Sequence, residues 1–121
     1  MKIFHSFPYA WQGLKFCFVT QLNFKAHVLL AVLTILMALV LHISQSEWLV
    51  ILLCIMGVLS LEMINTAIES LCNVVQREIH PGIRIVKDVS AGAVLISAII
   101  SLVIGLVIFI PKLIILFTQF K

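Results

Sequence analysis

Three stretches of near-continuous apolar sequence, residues 26–43, 48–67 and 89–110, constrain this chain more than any other feature. Each is close to the ~20 residues that a helix needs to cross a hydrocarbon core about 30 Å thick. Backbone polar groups find no water partner in lipid, so a spanning segment must satisfy them internally, and these runs are predicted as helices. Water is the wrong solvent for such a chain. It is 63% hydrophobic and 11% charged, where a soluble domain is about half apolar and about a quarter charged. A soluble fold of 121 residues would leave too much apolar surface bare. The expected architecture is one all-α integral membrane unit over residues 1–121, with an amphipathic surface helix at residues 1–24 followed by the three spans.

In the first 24 residues, Phe4, Phe7, Trp11, Leu14 and Phe18 recur at spacings of three and four, with Lys2 and Lys15 alongside. This is the pattern of a helix lying in the membrane interface. Pro8 is expected at a helix start or a kink. The segment has no continuous apolar core of the kind a cleavable signal peptide needs. A net charge of +3, scattered along the chain, gives no footprint for nucleic acid. Cys17, Cys54 and Cys72 are odd in number and lack metal or redox spacing, so they are read as small apolar fillers.

Residues 44–47 form a short polar turn without Lys or Arg, and Trp48 follows at the position of an interfacial aromatic. Residues 76–88, QREIHPGIRIVKD, form the one substantial polar loop, broken by Pro81–Gly82. Pro111 is expected to end the third span, and Lys87 and Asp88 to open it. Within that span, Ala93, Ser97, Ser101 and Gly105 repeat every four residues, a small-residue face that allows close helix packing in lipid. Lys2, Lys15 and Lys25 precede the first span, and Arg77, Arg84 and Lys87 lie between the second and third. Basic residues favour the cytoplasmic side, so the amino terminus and the 76–88 loop are placed there. The carboxyl terminus, with Lys112 and Lys121, falls outside.

Against this apolar background the stretch LEMINTAIESLCNVV, residues 61–75, carries Glu62, Asn65, Glu69 and Asn73. At about 100° per residue Asn65 and Glu69 lie within roughly 60° of Glu62, Asn73 falls on the same stripe, and Thr66 stands beside it. Ionisable residues inside a membrane are costly and usually functional. Glu62 lies about 10 Å deeper than Glu69 at 1.5 Å per residue, the depth of a lipid headgroup hydroxyl. A carboxylate withdrawn from water is a better base. Glu69, nearer the aqueous boundary, suits a cation, since Mg²⁺ takes one or two carboxylates plus substrate phosphates. Lys87 and Asp88 return to the same level. The residues alone leave three readings open: an enzyme, an assembly protein in which the seam binds neighbouring helices, or a proton or ion pathway. No P-loop, protein-kinase signature or HExxH motif is present.

The run E-M-I-N-T-A-I-E from Glu62 to Glu69, then H-P-G-I-R-I-V-K-D-V-S-A-G-A-V, resembles the prokaryotic diacylglycerol kinase family, which includes the undecaprenol kinases. A-W-Q-G-L-K and N-F-K-A-H near the amino terminus match as well, so the resemblance covers nearly the whole chain. It implies a homotrimeric lipid kinase of the bacterial inner membrane, with active sites shared between protomers and working on the cytoplasmic side. Such an enzyme transfers the γ-phosphate of ATP, with Mg²⁺, to the hydroxyl of diacylglycerol or undecaprenol. By the same resemblance Glu62 is the general base, Asn65 supports the site and Glu69 binds the metal with ATP. Tyr9, Glu78, His80, Lys87 and Asp88 contact the nucleotide. Trp11, Lys15, Asn23, Phe24 and Lys25 help form the lipid site. Gln21 stands where the family has a metal-binding glutamate, and Asn73 where an aspartate is common. The A-G-A-V after Asp88 and His27 lean toward the undecaprenol branch.

Overall fold

The computed structural model of the protein describes residues 3–75, 78 and 80–120. Lys2, Arg77 and Lys121, which enter the orientation reading above, lie outside the described residues. Among the described residues four helices follow one another: α1 (Ile3–Thr20), α2 (Leu22–Leu41), α3 (Gln45–Val75) and α4 (Pro81–Gln119). The last three are each long and apolar enough to cross a membrane. The fold is therefore all-α and integral to the membrane, with an amino-terminal surface helix ahead of three spanning helices.

The joints between helices follow from local chemistry. Gln21 is extended (φ −106°, ψ 110°) and separates α1 from α2. At the far end of α2, His42 takes a left-handed conformation (φ 51°, ψ 56°), and its N–H donates to the Ala38 carbonyl. This is the αL stop common at helix C-termini, here without glycine. Ser44 and Glu47 then form a reciprocal cap on α3: the Glu47 N–H donates to Ser44 Oγ at 3.2 Å, and the Ser44 N–H donates to Glu47 Oε1 at 2.9 Å. The S-x-x-E spacing supplies both halves.

Three expectations need correction. Helix α1 starts at Ile3 and runs through Pro8, so the proline does not mark its beginning. The polar loop does not reach Asp88: Pro81 occupies the first turn of α4, where its missing N–H costs nothing and its fixed φ favours a helix. Lys87 and Asp88 consequently stand well inside α4 rather than at its start. The helix also continues through Pro111 to Gln119. Membrane helices tolerate interior proline, and beyond it Lys112 Nζ pairs with Glu47 Oε1 at 3.0 Å, tying the continuation of α4 to the start of α3.

Helices α3 and α4 make the principal packing contact. A Cβ added to Gly57 on α3 would lie 3.5 Å from Ser97 Oγ, so one step of the small-residue face of α4 abuts α3. Near the α2–α3 turn, Ala38, Ile43, Ile51 and Phe109 form a buried cluster with Trp48 and Ile108 against it. This cluster fixes one end of the bundle and leaves the polar end of α3 to its own contacts. A single chain leaves much of its apolar surface uncovered. It exposes 9253 Å², against about 6,500 Å² expected for a soluble monomer of its 13.5 kDa. The excess is largely aliphatic and aromatic, including Leu29, Leu36, Leu53, Ile96 and Leu102. Lipid or neighbouring helices are the natural cover for such a surface.

Candidate active site

The polar seam of α3 faces inward. Glu62, Asn65 and Thr66 are the buried polar side chains among the described residues, with Glu62 only 4% exposed. Cys17 of α1, Phe24 of α2 and Cys72 of α3 are buried as well. The amphipathic period of α3 explains the arrangement: Val58, Glu62, Asn65 and Cys72 recur at steps of three, four and seven and share one buried stripe.

Each neighbouring helix contributes to that stripe. From α2, His27 Nε2 lies 3.8 Å from Glu62 Oε2. From α4, Ser90 Oγ donates to Asn65 Oδ1 at 2.7 Å. Asn65 Nδ2 in turn donates to Glu69 Oε1 at 3.4 Å. One turn further on, Lys87 Nζ donates to Asn73 Oδ1 at 2.7 Å. The Thr66 hydroxyl donates to the Glu62 carbonyl at 3.0 Å, which keeps this hydroxyl inside the helix ladder. Burial raises the Cys17 thiol above its ordinary range; the Thr66 hydroxyl beside it works the other way, and the charge of Glu62 adds to the rise. Cys17 thus stays a neutral thiol, in keeping with a filler.

The structure therefore joins Asn65 and Glu69 of α3 to Ser90 of α4, and Lys87 of α4 to Asn73, while Glu62 on the same stripe of α3 stands against His27 of α2. The other expected residues lie around it. Tyr9 and Trp11 project from α1, 72% and 68% exposed, and Lys15 is exposed beside them. Asn23, Phe24 and Lys25 form the first turn of α2, with only Phe24 turned inward. Gln21 caps no helix with its side chain; its Nε2 donates to Thr20 Oγ1 at 3.2 Å. Glu78 lies in an exposed bend, and His80 caps α4, its Nδ1 accepting from the Gly82 N–H at 3.0 Å. Asp88 is exposed, one position round the helix from Lys87. Ser90 escaped the sequence reading. The signal for it was present: it stands three residues after Lys87 and four before buried Val94, on the same face of α4.

Among the described residues no three His, Cys, Asp or Glu side chains gather as a metal cage. A half-buried carboxylate on Glu69, steadied by one amide N–H, suits a Mg²⁺ ion that draws its remaining oxygens from nucleotide phosphates and water.

Fold and site together define a small integral membrane protein with a buried carboxylate–amide–hydroxyl seam at one end of its helix bundle. The family model for prokaryotic diacylglycerol kinase matches residues 8–109. The undecaprenol kinase of Bacillus subtilis (strain 168) is 39% identical over 112 residues, spanning 93% of this chain and 91% of that protein. The diacylglycerol kinase of Synechocystis is 38% identical over 109 residues, covering 89% of this chain and 62% of the relative. That of Escherichia coli (strain K12) is 24% identical over 102 residues, with 84% of each chain aligned. The chain belongs to the prokaryotic diacylglycerol kinase family and is a lipid kinase.

Proposed function

We propose that this protein transfers the γ-phosphoryl group of ATP, bound with Mg²⁺, to the primary hydroxyl of undecaprenol at the cytoplasmic face of the bacterial inner membrane. Diacylglycerol is the second acceptor to be weighed, since relatives of similar identity carry that name. The match to an undecaprenol kinase, over 93% of this chain and 91% of that protein, supports the first choice. Other activities on the same seam, assembly or ion conduction, have less support from a chain of this family.

One observation carries the reading. Glu62 is a buried carboxylate in a membrane helix, and its facing imidazole stands at 3.8 Å, beyond hydrogen-bond length. A structural carboxylate would be expected to be tied down; this one is held near a partner and remains free to accept a proton.

In the mechanism Glu62 accepts the proton of the lipid hydroxyl. The lipid oxygen then bonds to the γ-phosphorus as the bond to the ADP oxygen breaks, and ADP leaves with that electron pair. Lys87, held by Asn73, offers its ammonium to the phosphate oxygens. Glu69 and Asn65 form the cation end of the seam, and Gln21 provides a neutral oxygen where a second carboxylate would add charge. Mg²⁺ supplies positive charge to the transferring phosphoryl group, the main requirement of such a reaction. Tyr9, Glu78, His80 and Asp88 are assigned to the nucleotide in this reading. Trp11, Lys15, Asn23, Phe24 and Lys25 border the lipid. Tyr9 and Trp11 are exposed on α1 of the single chain, in keeping with a homotrimer whose sites are completed by neighbours.

The test is phosphoryl transfer from labelled ATP to undecaprenol and to diacylglycerol, offered in parallel in mixed micelles with magnesium. Label is expected in undecaprenol at the higher kcat/KM. Label in neither lipid, from folded protein, contradicts the proposal.

A further inference from the structure

Asn65 is a planar amide whose two ends face different partners. Its Nδ2 meets a carboxylate oxygen of Glu69 at 3.4 Å, and its Oδ1 meets the Ser90 hydroxyl at 2.7 Å. An ionised carboxylate only accepts, so the amide must present N–H to it; the carbonyl end then falls to Ser90, whose hydroxyl must donate. The reverse orientation would set the amide oxygen against the carboxylate and is disfavoured. The Glu69 carboxylate thus sets which way the amide points, and the Ser90 hydroxyl of α4 anchors its carbonyl end.

We propose that Ser90 is a positioning residue for the cation site: by locking the Asn65 amide it holds the Glu69 carboxylate in the orientation that receives a divalent cation with nucleotide. This rests on the reading of Glu69 as the metal ligand. Asn65 is buried, so loss of the Ser90 donor leaves its carbonyl without that partner and frees the amide to turn. An amide without that anchor swings away from Glu69, and the carboxylate loses its fixed place. Ser90 itself touches neither the lipid hydroxyl nor the phosphate in this scheme. Its effect should therefore fall on cation and nucleotide affinity and leave the chemical step nearly untouched.

The experiment titrates Mn²⁺ into purified full-length protein in micelles with a non-hydrolysable ATP analogue, read by electron paramagnetic resonance. The variants are Ser90→Ala, Ser90→Cys, Ser90→Thr and Glu69→Gln. A lost neutral hydrogen bond corresponds to roughly a 2- to 12-fold weakening, and that is expected for Ser90→Ala. Ser90→Cys keeps the volume with a poor donor and should weaken binding to a similar degree, which covers the case in which Ser90→Ala fails to fold. Ser90→Thr should bind like the wild type. In turnover, KM for the ATP complex should rise in Ser90→Ala while kcat stays level. Glu69→Gln should lose the site, which tests the underlying reading separately. If Glu69→Gln loses Mn²⁺ but Ser90→Ala or Ser90→Cys binds as tightly as the wild type, Ser90 is only an interhelical contact and the inference is overturned. If Glu69→Gln binds unchanged, the metal assignment itself fails and the role of Ser90 falls with it.

Discussion

His27 Nε2 stands 3.8 Å from Glu62 Oε2, an imidazole of α2 set against the buried carboxylate of α3. The gap is too long for a hydrogen bond, yet it sets the ring beside the carboxylate, where it can orient the proposed base. Replacing His27 with Ala should lower kcat on the order of 10-fold, less than the ~100-fold that a 1 Å misplacement can cost. KM for ATP should stay within about twofold, because an interaction felt mainly in the chemical step is read in kcat. A His27→Ala enzyme with wild-type kcat would show that the imidazole does not orient the base.

Asn73 fixes Lys87 without neutralising it. The amide oxygen accepts from the ammonium at 2.7 Å and carries no charge. In Asn73→Ala the lysine loses its tether, and KM for ATP should rise by roughly 2- to 12-fold. Asn73→Asp should keep the lysine in place but partly offset its charge, giving a rise of similar sign and weaker salt dependence. Steady-state kinetics at two ionic strengths separates the two effects.

Gln21 sits at the amino end of α2 with an extended backbone and no side-chain cap. Gln21→Glu adds a negative charge at a helix N-terminus, worth about 0.3–1 kcal/mol, and places a carboxylate at the position that the resemblance assigns to the cation. Thermal midpoint and Mn²⁺ affinity should both increase. Unchanged Mn²⁺ affinity would place Gln21 outside the cation site.

At the opposite end of the bundle, Glu47 lies in the cap that opens α3, paired with Ser44 and Lys112. The Ser44 backbone N–H, followed by Lys112, holds its carboxyl below its ordinary range. A depressed folded value means that the stabilisation is present above the unfolded value and is lost as pH falls through the folded one. The unfolding midpoints of wild type and Glu47→Gln should therefore differ most above pH 4.5, the ordinary value, and converge on acidification. Lys112→Gln should reduce this difference without removing it, since the Ser44 amide remains. A constant gap across the whole range would contradict the assignment.

Much of this was legible in the sequence. Apolar runs of membrane length permit little but helices, and the period of Glu62, Asn65 and Glu69 marks a shared face before any packing is known. The helix limits were less legible because proline is ambiguous. Pro81 reads as a breaker and acts as a first-turn residue, while Pro111 reads as a stop yet lies inside α4. Which outcome holds depends on neighbours that local sequence does not contain, such as the Glu47–Lys112 pair. Ser90 and His27 were hidden for the same reason: each gains its role from a side chain on another helix, 25 residues away for Ser90.

The central claim is that Glu62 takes the proton of the lipid hydroxyl. Its most direct test is single-turnover phosphoryl transfer by Glu62→Gln, with helix content and Mn²⁺–nucleotide binding measured on the same preparation. The account predicts wild-type helix content and cation binding with transfer slowed at least ~100-fold, the lower range for a general base. Transfer at the wild-type rate by a folded, cation-binding Glu62→Gln protein would contradict it.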